Sequence, residues 1–226
     1  DGPGAFVGAD GPLIHNLATG LIEARSDAPL TTWNAFPTLN NEGVFRKNSS
    51  GDKTMKLNVN NRGRFEALAG SLLIQDTRFN NHGVVELNGG VTLTLDGGGT
   101  NSGAFSLPDT ARLAFAGGPI RLHLLQQGVT FSGSGMVEVG GLTSGPQLVV
   151  DGEVSIPHFA VASGRLTGAG RLTVTETMRW TGGAIEMVGG TLVIAPGAVL
   201  TLDGASEKRL GGTLQNGGTM IWDGPG

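Results

Sequence analysis

Asn41-Glu42-Gly43, Asn61-Arg62-Gly63, Asn81-His82-Gly83 and Asn101-Ser102-Gly103 head four successive stretches of the chain, each 20 residues after the last. Two positions beyond each glycine stand Phe45, Phe65, Val85 and Phe105, and one position further stand Arg46, Glu66, Glu86 and Ser106. Apolar and polar residues alternate, the pattern of a strand with one buried and one wet face. A fixed period of this length marks a stacked-repeat architecture. One repeat is long enough for two or three short strands, and coils stacked at about 4.8 Å bring equivalent side chains into columns. The fold class expected is all-β: a parallel β-helix, or β-solenoid, with coils of about 20 residues.

The Gly-x-apolar pattern extends beyond this block. Anchored at Gly20, Gly135, Gly152, Gly170, Gly183, Gly197 and Gly218, it places Ile22, Val137, Val154, Leu172, Ile185, Val199 and Met220 with the core stack of Phe45, Phe65, Val85 and Phe105. Four residues after the glycines the side chains are again mostly apolar, Lys47 and Thr201 being the exceptions. Second strands are expected at 53–59, 71–75, 91–95 and 112–115, with Leu73, Leu93 and Leu113 in one column and Gln75, Leu95 and Phe115 in another. A one-residue slip there would exchange the two faces.

Around this block the chain reads as a single domain, 1–226. Residues 1–40 form an irregular entry, with an early coil at 13–24 and a loop or broken strand leaving the coil at 28–37. A short helix at 13–24 competes, though Gly20 argues against it. Residues 41–120 are regular coils and 121–226 less regular ones, with an insertion or extra strand near 122–127. The close glycine spacings after 170 require some of those strands to be different faces of one coil.

Glycine makes up 40 of 226 residues, more than double ordinary usage. It has no collagen period and falls between alternating strands, as turns demand. Net charge is −4 without a basic block, which excludes nucleic acid and an anionic membrane surface as partners. No apolar run reaches the length of a membrane helix, so no membrane insertion is expected. Cysteine is absent, which removes disulfides and thiolate chemistry. Asp1 in place of an initiator methionine points to a processed chain or an excised segment.

The runs GRLTGAGRLTV, RWTGGAIEMVGGTLVIAPGAVLTLDG and KRLGGTLQNGGTMIW, between 164 and 222, resemble the glycine-rich strand repeats of bacterial surface and secreted proteins. They are similar to autotransporter-associated repeats and filamentous-haemagglutinin-like segments. The Asn-x-Gly heads of 41–120 look like the same class. The resemblance implies a parallel β-helix, usually right-handed, in an extracellular or cell-surface fibre, stalk or adhesin.

The candidate chemistry is sparse. Asn41, Asn61, Asn81 and Asn101 stand one coil apart and suit a structural amide ladder. The outward column Glu23, Arg46, Glu66, Glu86, Ser106, Glu138 and Glu186 places Glu66 beside Glu86, a like-charge pair that calcium or solvent must relieve. Asp151 and Glu153 share one side if their strand is extended, the paired-carboxylate arrangement of a glycosidase. Asp96, Asp109 and Asp203 fall near turns. His15, His82, His123 and His158 lack metal-ligand spacing, and Gly133-Ser134-Gly135 lacks the helix and lysine of a phosphate loop. The Thr54, Ile74, Thr94, Ala114 column is not the threonine array of an ice-binding face. No catalytic, metal or cofactor site is assigned, and the expected protein is not an enzyme.

The chain begins Asp1-Gly2-Pro3-Gly4 and closes Asp223-Gly224-Pro225-Gly226, which suggests one unit of an array. Phe6, Val7, Met220 and Trp222 are then the end-to-end contacts. The partner expected is the chain itself, by end-to-end stacking or as tandem copies. Surface glycans are the alternative, for a polysaccharide-binding or polysaccharide-cleaving protein.

Overall fold

Up to Leu122–Gln126 nearly every strand pairs with the third strand after it, so the chain winds with three faces per coil; further on, strands merge across corners and pair with the second strand after them. The computed structural model describes residues 6–32, 34–140 and 145–224. Within them the strands are parallel and stack as a β-solenoid of about 11 turns, roughly 20 residues per coil, without a helix. Phe6–Gly8, Leu13–Asn16 and Leu21–Ala24 begin the first, second and third faces. Leu30–Thr32, Thr38–Asn41 and Val44–Lys47 form the next coil on top of them.

The Asn-x-Gly heads are the corner between the second and third faces. Each glycine there lies against the preceding coil: a Cβ at Gly63 would stand 2.2 Å from the Gly43 carbonyl oxygen, at Gly83 2.2 Å from that of Gly63, and at Gly103 2.2 Å from that of Gly83. Any side chain at these corners forces two coils apart. Close backbone approach therefore sets the 20-residue period, rather than a need for positive φ.

Alternation along each strand fills the interior. Phe45, Phe65, Val85 and Phe105 are buried on the third face, with Phe45 stacked on Phe65 at 4.7 Å and Phe105 on Phe131 at 5.2 Å. The wider set of glycine-anchored apolar residues is not one column. Val137 and Met220 lie on the first face, Ile185 on the second, and Val199 turns outward while Leu200 is buried. The glycine marks a corner, and the solenoid has three.

The second-strand register also differs from expectation. Leu72, not Leu73, pairs with Leu93, and Ile74, not Gln75, pairs with Leu95. The buried column thus runs Met55, Ile74, Leu95 and Phe115, and Leu73 faces outward. The alternate positions are Thr54, Leu73, Thr94 and Ala114, of which Thr94 and Ala114 are buried, and they still form no threonine array.

Residues 6–32 are coils rather than an irregular entry. Strands Leu13–Asn16 and Leu21–Ala24 occupy the segment for which a helix competed, and Leu30–Thr32 stays on the first face instead of leaving the coil. Leu122–Gln126 is an ordinary second-face strand pairing with Gly99–Asn101. The extra residues before it lie in the corner 116–121, where Ile120 is 83% exposed. In the later coils single strands such as Arg171–Trp180 bend round a corner and serve two faces.

Candidate functional site

Three regions carry polar or exposed apolar groups in ordered array: the asparagine corner, the second face beside it, and the two ends. At the corner, Asn16 Nδ2 donates to Asn41 Oδ1 at 2.7 Å, Asn41 to Asn61 at 2.7 Å and Asn61 to Asn81 at 2.8 Å. The same nitrogens donate to the carbonyl oxygens of Val44, Arg64 and Val84, and Asn81 Nδ2 donates to that of Ala104; these residues open the third-face strands of the next coil. Both amide hydrogens of Asn16, Asn41 and Asn61 are thus used, inside a corner where a bare carbonyl would be costly. Asn101 differs: its Oδ1 is buried without a partner. The chain beyond it places Leu125 in the column, which ends the ladder. Asn16 extends it at the other end, hidden from a 20-residue search because the first coils are longer.

A second ladder runs outside the first and in the opposite sense. Asn80 Nδ2 donates to Asn60 Oδ1 at 2.9 Å and Asn60 Nδ2 to Asn40 Oδ1 at 2.8 Å, while the Thr100 backbone N–H donates to Asn80 Oδ1. It borders a hollow of about 380 Å³ lined also by His15, Glu42, Arg62 and His82. Two further hollows continue along the same face, one bordered by Arg78, Asn80 and Arg121 and one by Gln147, Arg165 and Arg209.

Charges elsewhere neutralise one another. Glu66 does not repel Glu86 unaided, because Arg46 reaches Glu66 at 2.5 Å and Arg64 stands 3.6 Å from Glu66 and 3.0 Å from Glu86. Glu138 and Glu186 lie on other faces, paired with Arg112 and with Arg165. Asp203 holds Arg179 at 2.8 Å, raising the affinity of that guanidinium for its proton. Asp96 is held above the usual carboxylate range by burial and by Asp76. Asp109 accepts from the Thr110 N–H.

Asp151 and Glu153 do not share one side of a strand. Gly152, at φ +128°, breaks the chain into a second-face strand Gln147–Asp151 and a third-face strand beginning at Glu153, across a corner. Glu153 faces Arg171 at 3.9 Å. Gly133 likewise occupies a corner, where a Cβ would stand 2.2 Å from the Leu107 carbonyl oxygen. Among the described residues no group of three or more His, Asp or Glu side chains is arranged to hold a metal.

Two cations are buried, of which Lys47 was legible as an exception to the core pattern and Lys53 was not. Lys47 points inward and its Nζ donates to the carbonyls of Ser49 at 2.6 Å, Gly51 at 2.8 Å and Ala69 at 2.5 Å. Lys53 Nζ donates to those of Ser26 and Ala28. Desolvation lowers both pKa values, opposed by Asp27. His123 is fully buried in the second-face column, 5.0 Å from the Phe115 ring, with Nε2 2.8 Å from the Ala116 carbonyl oxygen. Burial pushes its imidazole down to about 4, with the Ala116 contact opposing the shift. His82 bonds Ser102 and His158 bonds Thr177. His15 is exposed.

At the ends the inner columns stop on uncovered apolar groups. Successive first-face pairings run Phe6, Leu30, Met55, Ile74, Leu95, Phe115, Val139, Val161, Trp180, Leu202 and Trp222. Phe6 and Trp222 are therefore opposite ends of one column, 57% and 81% exposed. Val7, Met220, Ile221 and Leu210 are exposed beside them. A hollow of about 430 Å³ opens at the C-terminal end between Trp180, Leu202, Leu214 and Trp222. The repeated Asp-Gly-Pro-Gly lies mostly outside the described residues.

Comparison with family models, with curated proteins and with solved structures gives no match.

Proposed function

We propose that the chain is a structural, self-associating module of a bacterial extracellular fibre, sheath or adhesin stalk, working through shape and association rather than catalysis. The observation that supports this most is that one inner column runs uninterrupted between two uncovered ends. Each presents three parallel strand edges around an apolar centre, and Phe6 and Trp222 terminate the same column. What fits such an end is another coil of the same section. The contact is head-to-tail and does not close, so it propagates into a filament. Covering an exposed side chain such as Trp222 contributes on the order of 1.5–3 kcal/mol. Association opposes this with roughly 4–15 kcal/mol. One aromatic contact is therefore insufficient, and the strand-edge hydrogen bonds must form with it. Assignment to the bacterial cell exterior rests on the resemblance of the glycine-rich strand runs.

Phe6–Gly8 and Thr219–Trp222 are both first-face strands, so stacking of copies would set one against the other.

Sedimentation velocity over a concentration series tests the reading. Oligomers lengthening with concentration are expected, and Trp222→Glu should hold the chain monomeric. A wild-type chain that stays monomeric at the highest concentrations overturns it.

A further inference from the structure

The second face holds a row of polar groups that neither the core nor the ends account for. Asn40, Asn60 and Asn80 point outward, and each amide bond between them uses one hydrogen and one oxygen lone pair. The remaining amide hydrogen of Asn60 and Asn80, and the second lone pair of each oxygen, face the hollow. They repeat at the coil spacing of about 4.8 Å. Arg62 and Arg78 stand on the hollow or its neighbour, both exposed, and neither forms an ion pair among the described residues, although Glu42 lies one coil from Arg62. Most other arginines of the chain are matched to a carboxylate: Arg46, Arg64, Arg112, Arg165, Arg179 and Arg209 all are. Two unmatched guanidinium groups beside a regular amide row, on a chain of net charge −4, make a local exception to the acidic whole.

We infer that this face binds a linear anionic polysaccharide lying along the solenoid axis. Three features select that ligand. The amide row recurs at a distance close to the advance of one sugar unit in an extended glycan, so successive sugars meet equivalent donors and acceptors. An extended peptide advances by about 3.3 Å per residue and falls out of step. Paired donor and acceptor sites suit hydroxyl groups, which offer both. The planar forks of Arg62 and Arg78 suit the carboxylate or sulfate groups of an acidic sugar. The hollow of about 380 Å³ runs into a second of about 370 Å³ that shares Asn80, so the groove continues beyond one sugar.

The test is titration calorimetry on the Trp222→Glu variant, which separates glycan binding from end association. The probes are a galacturonate hexamer, a sulfated hexasaccharide and the neutral cellulose hexamer. Binding of at least one acidic hexamer, weakening as salt is raised, and at least tenfold weaker binding of the neutral one are expected. Arg62→Gln with Arg78→Gln should weaken the acidic probe at least tenfold, and Asn60→Ala should weaken it at least threefold. Circular dichroism of the arginine variant should match the parent, since both side chains are exposed. No binding of either acidic probe, equal binding of acidic and neutral hexamers, or binding indifferent to the arginine pair overturns the inference.

Discussion

Asn61 and Asn101 occupy equivalent corners in different circumstances. Asn61 joins neighbours on both sides and caps the Val84 carbonyl, whereas Asn101 has an unpartnered Oδ1 and only a 3.5 Å contact to Leu124. Asn61→Ala strips a donor from Asn81 and an acceptor from Asn41, and should cost about 2–4 kcal/mol. Asn101→Ala should cost at least about 1 kcal/mol less, because little is lost with it. Urea unfolding of the two variants checks the difference. His123 carries a pH dependence of definite sign. Its folded-state pKa, about 4, lies below the unfolded value near 6.5. The stability tied to its neutral form is thus present above pH 6.5 and is lost as pH falls toward 4, by on the order of 3 kcal/mol. His123→Leu, a residue already used in that column at Leu148 and Leu166, should remove this part of the acid sensitivity. Unfolding midpoints of wild type and variant, compared between pH 7 and 4, measure it.

At the scale of one coil, the recurring glycine is the element's constraint. Gly83→Ala should cost about 2–4 kcal/mol, since its methyl group meets the Gly63 carbonyl and backbone must move. Gly90→Ala meets nothing within 4 Å and bears only the strain of φ +77°, so it should cost less. Thermal melts of both distinguish corner crowding from conformational strain. This contrast explains what could be read from the chain. The period of 41–120 was legible because Gly43, Gly63, Gly83 and Gly103 are in mutual contact through their backbones. The assignment of strands to faces was not, because every face alternates in the same way and three corners use glycine. The slip at Leu72 and Leu73 was illegible for a simpler reason: both residues are leucine, and only pairing decides which is inside. Lys47 looked like an exception to the core because carbonyl oxygens from two coils, unseen in sequence, supply its partners.

For the whole molecule, three inner columns run the length of the solenoid and finish on exposed or half-buried apolar residues. The asparagine ladder and the phenylalanine stack belong to the early coils, while aliphatic residues with Phe159, Met178 and Trp180 fill the later ones. The first coils are longer than the last, yet the same first-face column runs from Phe6 to Trp222, so the proposed contact sets the first coil of one copy on the last of another along that column. Their alignment can be trapped chemically, because the chain has no cysteine. Phe6→Cys and Trp222→Cys, made in separate chains and mixed under mild oxidation, should give a disulfide-linked heterodimer. Neighbouring parallel strands bring Cα atoms within the roughly 4.4–6.8 Å that a disulfide spans. Heterodimer well in excess of either homodimer is the result expected from columns that continue from copy to copy. Equal amounts of all three products, or homodimers alone, would contradict it.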